Sequence, residues 1–203
     1  MLLGKLLTKI QKFETGLSDV EFSVFSQFGD DGIIQYLVKE VNPATKYFIE
    51  FGIENYLESN TRFLLQNNNW SGFVIDGSKQ NIDFIKQQDF YWKHDLQAID
   101  SFVTAENINS LLKEAPAEIG LLHIDIDGND YWIWKALSIN ADIVIMEYNS
   151  VFGYERAITV PYDAGFVRQQ KHYSYLYAGA SILAFCDLAE EKGYYFIGSN
   201  SAG

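Results

Sequence analysis

Oxygen-bearing side chains follow two apolar runs in the second half of the chain. Asp125 and Asp127 close the apolar run that begins at Gly120, and Glu147 and Asn149 close the next one. A run that is apolar at nearly every position and then turns acidic is typical of a central parallel strand, whose carboxyl end opens into a binding crevice. Residues two apart on a regular strand point to the same face of the sheet, so we expect these four side chains around one crevice.

The chemistry of these side chains favours a hard cation. Carboxylate and amide oxygens suit Mg²⁺ or Ca²⁺, whereas the single cysteine and three scattered histidines give no zinc-ligand spacing. We therefore predict a divalent metal held by Asp125, Asp127, Glu147 and Asn149. Two alternatives stay open. The residues from Asp127 onward can form a turn that caps a helix, or the acids can act as the general base that accepts a hydroxyl proton.

Two histidines are compared as catalytic bases. His123 lies inside the apolar run, where a histidine with a structural role in the core is expected. His172 lies in a polar segment beside Lys171 and Tyr173, where a base would be accessible. His172 is therefore a candidate catalytic residue, together with the acids at 125 and 127.

Composition limits the functions that the chain can have. Its 203 residues are 48% hydrophobic and 16% aromatic, which indicates one domain with a large core. The 27 acidic and 15 basic residues give a formal charge of -12, which disfavours nucleic acid or an anionic membrane surface through bulk electrostatics. Cys186 alone cannot form an internal disulfide, and no apolar run is long enough to span a bilayer. A cytoplasmic location fits best.

The first 44 residues are expected to form a helical lead to the domain. The sequence MLLGKLLTKIQKF has apolar residues at helical spacing, with lysines that interrupt any signal-peptide core. It predicts an amphipathic helix that offers a surface for homo-oligomerisation. Asp30 and Asp31 then precede a second helical pattern, which Pro43 ends.

The rest of the chain alternates between strand and helix patterns. Strands are predicted at Tyr47–Gly52, Gly72–Asp76, Phe90–Trp92, Gly120–Ile126, Ala141–Asn149 and Tyr194–Gly198. Helices are predicted at Ser59–Asn68, around Ile82 and Ile85, at Ala105–Leu112 after a Thr104 cap, at Trp132–Leu137 and at Ala178–Lys192, with Gly193 as a C-cap. This alternation predicts an α/β fold with a doubly wound, mostly parallel sheet and helices on both faces.

The segment from Ser150 to Tyr177 has no clear periodicity. It contains Pro161, many tyrosines, and Arg156, Arg168 and Lys171 in an otherwise acidic chain. We interpret it as a lid or acceptor-binding insertion, because it follows an acid-ended strand.

The first predicted strand and loop resemble part of a nucleotide-binding pattern. Glu50 and Gly52 close the strand, and Asp76 follows about 26 residues later, where such folds place an acid for ribose hydroxyls. The loop lacks the further glycines that let a backbone approach a pyrophosphate, and Glu54 and Glu58 would repel phosphate. A dinucleotide is therefore disfavoured. A sulfonium cofactor with a ribose and a zwitterionic tail fits better, unless these acids only cap strand ends.

Six blocks cover most of the chain in order: SQFGDDGIIQ (Ser26–Gln35), YFIEFGIENYLESNT (Tyr47–Thr61), WSGFVIDGS (Trp70–Ser78), LLHIDIDGNDYWIWKAL (Leu121–Leu137), EYNSVFG (Glu147–Gly153) and ITVPYD (Ile158–Asp163). This ordered set is similar to the signature blocks of FkbM-type S-adenosylmethionine-dependent methyltransferases. The resemblance implies a class I, Rossmann-like methyltransferase that acts on a hydroxyl of a sugar or glycoconjugate, or on an amine. The paired acids also resemble those that hold the ion in metal-dependent sugar O-methyltransferases.

The resemblance also implies which residues contact S-adenosylmethionine. These are Glu50 and Gly52 in the cofactor loop, Asp76 at the ribose hydroxyls with Ser78 just after it, Asp95 and Leu96 near the adenine, and Ser59 and Asn60 at the methionine end. Two features depart from the family pattern: the first loop is poor in glycine, and the sequence stops at Gly203, where such folds continue into a final antiparallel strand. A nicotinamide-dependent oxidoreductase would need the missing glycines. A non-catalytic Rossmann-like domain that binds a small molecule or a partner remains a rival hypothesis.

Overall fold

The fold is built around a five-stranded parallel sheet. The computed structural model describes residues 1–202 and contains the strands β1 (Tyr47–Phe51), β2 (Ser71–Asp76), β3 (Leu96–Asp100), β4 (Glu118–Ile124) and β5 (Asn140–Met146). Their order across the sheet is β3-β2-β1-β4-β5, and all four strand pairs are parallel. This confirms the predicted Rossmann-like α/β arrangement.

Within residues 1–202, eight α-helices surround or precede the sheet: α1 (Leu2–Ile10), α2 (Asp30–Val41), α3 (Lys79–Lys86), α4 (Asp89–Lys93), α5 (Ile108–Leu111), α6 (Asp130–Ala136), α7 (Arg168–Lys171) and α8 (Ile182–Glu191). Two 3-10 turns lie at Leu17–Val20 and Ser150–Phe152, and a π-helical turn lies at Leu64–Asn68. The serine Oγ atoms of Ser78 and Ser181 accept hydrogen bonds from backbone N–H groups in the first turns of α3 and α8, which explains why these two helices begin there.

Hydrophobic cores lie on both faces of the sheet. Alternate residues of β1 point to opposite faces, so Phe48 packs in one core while Ile49 and Phe51 pack in the other. The Phe48 core includes residues of α2, α3 and α4, and the second core includes residues of α5, α6 and α8. Full burial of such a side chain contributes about 1.5–3 kcal/mol. The two cores therefore fix the sheet between two helical layers.

Two predicted strands are absent from the structure described for residues 1–202. Phe90–Trp92 lies in α4, because Phe90 faces the core while its neighbours Asp89 and Trp92 remain exposed at helical spacing. The third strand begins later, at Leu96. Tyr194–Gly198 forms no strand, and Tyr195, Phe196 and Ile197 are exposed although their residue types favour strands.

Several predicted elements are shorter than expected. The helices predicted at Ala105–Leu112 and Ala178–Lys192 reduce to α5 and α8, and Gly193 does end α8, with a φ of 82°. The helix predicted at Ser59–Asn68 is mostly the π-helical turn. The strand predicted to reach Asn149 ends at Met146.

The end of β4 matters most for the site. The strand was predicted to run to Ile126 but ends at Ile124, so Asp125 and Asp127 both lie in the following loop. Asp127 has a φ of 59°, in the left-handed region. The inference that strand geometry directs both side chains to one face is therefore wrong, although the loop brings them together by another route.

The two ends of the chain pack near each other. Asn200 Nδ2 donates a hydrogen bond to Asp30 Oδ1 at 2.9 Å, and the backbone N–H of Ser201 donates to Glu21 at 2.6 Å.

Among residues 1–202, no helix has the length and apolar character needed to cross a membrane.

Candidate functional site

The cleft at the carboxyl edge of the sheet is the candidate site. Strand order reverses between β1 and β4, and ligands of open α/β sheets bind outside the carboxyl ends of strands at such a switch point. The cleft has a volume of about 1160 Å³ and extends along β5 toward the C-terminal residues. It is large enough for a ligand of nucleoside size.

The lining of this cleft is strongly acidic. Arg168 is the only arginine or lysine among the described residues that line it. Nine carboxylates line it: Asp30, Glu50, Glu54, Glu58, Asp76, Asp125, Asp127, Asp142 and Glu147. Such a cleft attracts cationic ligands and repels phosphates.

Three of these carboxylates form a compact group. Asp125, Asp127 and Glu147 each offer an oxygen, and the three oxygens lie within 4.8 Å of one another. Asp125 is half-buried, whereas the other two are exposed. Burial, followed by the charge of Glu147, raises the pKa of Asp125 to about 8. The group therefore holds a proton near neutral pH unless a cation takes its place.

The loop that carries Asp125 and Asp127 is fixed by a buried acid. Asp130 Oδ1 accepts a hydrogen bond from the backbone N–H of Ile126 at 2.7 Å, and Oδ2 accepts one from Gly128 at 2.9 Å. Burial raises the pKa of Asp130 to about 6, although these two hydrogen bonds lower it. The turn predicted as an alternative role for this segment is thus present, and it exists alongside the acidic group.

A second polar network lies beneath the cleft. Glu50 and His123 are paired in register on β1 and β4, and His123 Nδ1 donates a hydrogen bond to Glu50 Oε1 at 3.0 Å. Glu50 also accepts bonds from Ser59 Oγ at 2.7 Å, from the backbone N–H of Asn60 at 3.0 Å and from the Thr61 hydroxyl. Burial works to raise the pKa of Glu50, but His123 and these hydroxyls lower it overall.

This network gives Glu50 and His123 a structural role. Both side chains are buried, and Asn60 Nδ2 donates to His123 Nε2 at 3.0 Å in the neutral tautomer. Glu50 raises the pKa of His123 although burial opposes this. The network anchors the loop Ser59–Thr61 to the sheet. Ser59 and Asn60 line the cleft, and their hydrogen bonds to Glu50 fix their positions. Glu50 itself is almost completely buried.

Gly52 brings the loops after β1 and β4 into contact. Its φ is 72°, and a Cβ atom at this position would lie 1.6 Å from the carbonyl oxygen of Asp125. No side chain fits there. The glycine is thus required for packing against the acidic loop, which positions Asp125 beside the end of β1.

Asp76 closes β2 at the same edge of the sheet. Its Oδ2 accepts a hydrogen bond from the backbone N–H of Glu54 at 2.8 Å, and its Oδ1 accepts from the Ser78 N–H at 2.8 Å and from Asn81 Nδ2 at 3.0 Å. The carboxylate therefore orders the loop after β1. It also lines the cleft, with part of its surface accessible. Ser78 is the N-cap of α3. It is not one of the described residues that line the cleft.

Asp95 and Leu96 lie at the wrong end of β3 for the expected adenine contact. Leu96 pairs with Gly72 at the start of β2, whereas Asp100 pairs with Asp76 at the cleft. The adenine contact was implied only by the family resemblance, and the position of these two residues at the start of β3 does not favour it. Ser101, Phe102 and Val103 line the cleft instead.

The insertion covers the acidic group from one side. Arg168 forms an ion pair with Asp127, and Asp127 raises the pKa of Arg168 against the effect of burial. Phe166 packs on the acidic loop, where a Cβ atom on Gly128 would lie 2.2 Å from its ring. Lys171 pairs with Asp163 at 2.5 Å on the insertion itself.

Asn129 is a cleft residue that the sequence interpretation missed. Its Nδ2 donates to the backbone oxygen of Asp163 at 2.8 Å, while its buried Oδ1 has no hydrogen-bond partner among residues 1–202. An unpartnered buried amide oxygen costs free energy, and this oxygen is closed to solvent. The run Asp127-Gly128-Asn129-Asp130 signals a turn, but nothing in it distinguishes the asparagine that faces the cleft.

Asn149 and His172 are engaged away from the acidic group. Asn149 Nδ2 donates to the backbone oxygens of Leu176 and Ala178 at 2.8 and 2.9 Å, and its Oδ1 accepts from the Val151 N–H at 3.1 Å. His172 is exposed, and its Nδ1 forms a hydrogen bond with Ser174 Oγ at 2.7 Å. It is not among the described residues that line the cleft. The structure thus joins Asp125, Asp127 and Glu147 but not these two residues.

Comparison with known proteins adds no relative: neither the protein-family models nor the curated proteins give a match.

Proposed function

We propose that the chain is an S-adenosylmethionine-dependent methyltransferase that methylates a hydroxyl of a sugar or glycoconjugate. The observation that carries this proposal is the convergence of sequence blocks on one cleft. Five of the six blocks that resemble FkbM-type methyltransferases contribute residues to its lining. Four of these five blocks contain or directly follow the carboxyl ends of β1, β2, β4 and β5, which is the edge where ligands of open α/β sheets bind.

The charge of the cleft supports the choice of cofactor. S-adenosylmethionine carries a sulfonium and an ammonium group, which favour an acidic lining, whereas a dinucleotide carries a pyrophosphate that Glu54 and Glu58 would repel. Asp76 is the acceptor for the ribose hydroxyls in this proposal, since it lines the cleft at the end of β2. Ser59 and Asn60 face the methionine end.

The acidic group is proposed to serve the acceptor. Asp125, Asp127 and Glu147 fit a hard divalent cation by ligand type and spacing. Such a cation, when bound, would orient acceptor oxygens and lower the pKa of the hydroxyl to be methylated. The Arg168 guanidinium pairs with Asp127 and would have to share or release it.

The residues of the chain also contribute without a cation. Asp125 can accept the proton that leaves the hydroxyl only when it is ionised, and its pKa of about 8 makes that form the minor one at pH 7 and the major one above pH 8. The insertion places Phe166 and Arg168 beside this carboxylate, where they can cover and orient an acceptor. Holding the acceptor oxygen in line with the sulfonium methyl group accounts for a large part of the rate enhancement in such reactions.

The test is methyl transfer from labelled S-adenosylmethionine to a panel of sugars, with matched amines for comparison. We expect transfer to a hydroxyl acceptor, loss of turnover on chelation with cofactor binding retained, and recovery with Mg²⁺ or a similar ion. Asp125→Asn and Glu147→Gln should lose turnover in the same way. Glu118→Gln is the control, because Glu118 is an exposed acid at the opposite end of β4.

The outcomes separate the rival hypotheses. Full activity after extensive chelation would leave the acids as a proton acceptor only. Transfer to amines alone would replace O-methylation by N-methylation. Cofactor binding without transfer to any acceptor would favour a non-catalytic binding domain.

A further inference from the structure

Helix α1 packs on the domain through its small and polar side. Gly4 is buried, and a Cβ atom at this position would lie 2.5 Å from Val24 and 2.8 Å from Phe63. Directly after the helix, Gln11 Nε2 donates hydrogen bonds to the backbone oxygens of Val20 and Gly32, both at 2.8 Å. These contacts fix which side of the helix faces the protein.

The opposite side of the helix is therefore apolar and exposed. Leu2, Leu3, Leu6 and Ile10 are 75%, 68%, 52% and 69% exposed. At 100° per residue these four side chains occupy one arc of the helix surface. We call these four residues the α1 apolar face. Phe13, which lies beyond the helix, instead stacks on the ring of Tyr36. A helix that only capped the domain would turn these leucines inward.

Lysines lie along the edge of this face. Lys5 and Lys9 are exposed and lie on the neighbouring arc of the helix, and Lys12 is exposed just beyond its end. Three of the 15 basic residues and none of the 27 acidic residues of the chain lie in its first thirteen positions. Residues 1–13 thus carry a net positive charge, opposite in sign to the charge of the whole chain.

We propose that the α1 apolar face binds the interfacial region of an anionic lipid bilayer. An apolar arc bordered by lysines is the pattern of helices that lie in the membrane plane, with the arc buried about 5–10 Å deep. The formal charge of -12 opposes this only weakly, since charges more than about 8 Å away are screened at physiological salt. This inference is independent of the proposed methyltransferase activity.

A second copy of the chain fits this face less well. Nine helical residues span only about 14 Å, and a stable dimer buries about 800 Å² on each partner. Pairing two such faces would also bring both sets of Lys5, Lys9 and Lys12 close together. The lysines are instead complementary to anionic lipid headgroups.

Flotation of the full chain with phosphatidylcholine vesicles, with and without phosphatidylserine, tests this proposal. We expect binding to the anionic vesicles that weakens as salt is raised. Leu6→Glu should reduce binding roughly tenfold or more, because the apolar contact is lost. Lys9→Gln should reduce it about fivefold, the expected effect of one lysine near an anionic surface.

Two matched variants control for general surface effects. Trp92→Glu removes an apolar side chain that is 69% exposed on α4, and Lys113→Gln removes a lysine whose side chain is 73% exposed. Both should bind vesicles like the wild type. The proposal is overturned if anionic vesicles do not bind the chain at low salt, or if the controls lose binding as much as the α1 variants. A dimer that Leu6→Glu dissociates, without vesicle binding, would assign the face to a second copy.

Discussion

Replacement of Gly52 by alanine tests how the site is assembled. The substitution adds one methyl group where the loop after β1 meets the loop after β4. That methyl would lie 1.6 Å from the Asp125 carbonyl oxygen, so the acidic loop must move by more than 1 Å to admit it. The positive φ of 72° adds backbone strain. We therefore expect both lower stability and a displaced acidic group.

The two effects can be separated with a second glycine. Gly153 has a similar φ of 69°, but an added Cβ atom there would meet nothing within 4 Å. Gly153→Ala should cost about 1 to 3 kcal/mol in the free energy of unfolding from backbone strain alone, because a φ of 69° with a ψ of -168° is a conformation that almost only glycine adopts. Gly52→Ala adds an overpacking cost, which brings the expected loss to about 3 to 4 kcal/mol. The difference between the variants measures the clash with Asp125.

Urea denaturation followed by circular dichroism gives both free energies, and calorimetry gives the affinity for Mg²⁺ or Ca²⁺ of the folded variants. We expect Gly52→Ala to weaken any cation binding and Gly153→Ala to leave it unchanged. Equal destabilisation by the two substitutions would refute the claim that Gly52 is required for contact with the acidic loop.

Three further predictions concern the polar groups and the insertion. Asp76→Asn should weaken S-adenosylmethionine binding by about 1.5–3 kcal/mol in a calorimetric titration, because a charge-assisted acceptor is lost; unchanged affinity would remove Asp76 from the ribose site. Glu50→Gln should cost about 2 to 3 kcal/mol in denaturation at pH 7, because His123, Ser59 and Thr61 lose a charged acceptor. Folding lowers the pKa of Glu50 below 4.5, so the stabilisation by its carboxylate is present above pH 4.5 and is lost as the pH falls through the pKa of the folded state. If the destabilisation caused by Glu50→Gln does not become smaller in acid, Glu50 is not ionised in the folded protein. Residues 150–177 should exchange amide hydrogens faster than the sheet without ligand and slow when cofactor and acceptor bind; protection equal to that of the sheet would exclude a lid.

Much of the fold could be predicted because hydrophobic pattern determines it. The strands β1, β2 and β4 are apolar runs buried on both faces, and the apolar run Ile143–Met146 marks β5 at the sheet edge, so these four strands can be recognised from their own residues. The third strand could not be placed in this way, because Leu96–Asp100 alternates between buried and exposed residues at the sheet edge. The aromatic run at Phe90–Trp92 gave the stronger but misleading strand signal.

The site could be predicted only in outline. Acids at strand ends indicate a cleft, and Asp125, Asp127 and Glu147 do meet there. Their meeting depends on a left-handed Asp127, however, which local residue types do not specify. The pairing of Glu50 with His123 depends on strand register, a property of the sheet as a whole.

Calorimetric titration with S-adenosylmethionine, compared with NAD under the same conditions, tests the central claim most directly. An acidic cleft at the β1–β4 switch point should bind the sulfonium cofactor and give no binding heat with the pyrophosphate-containing one. Loss of affinity in Asp76→Asn, with the fold intact by circular dichroism, would locate the cofactor at the end of β2. Binding of NAD, or no binding of S-adenosylmethionine to the folded chain, would contradict the proposed function.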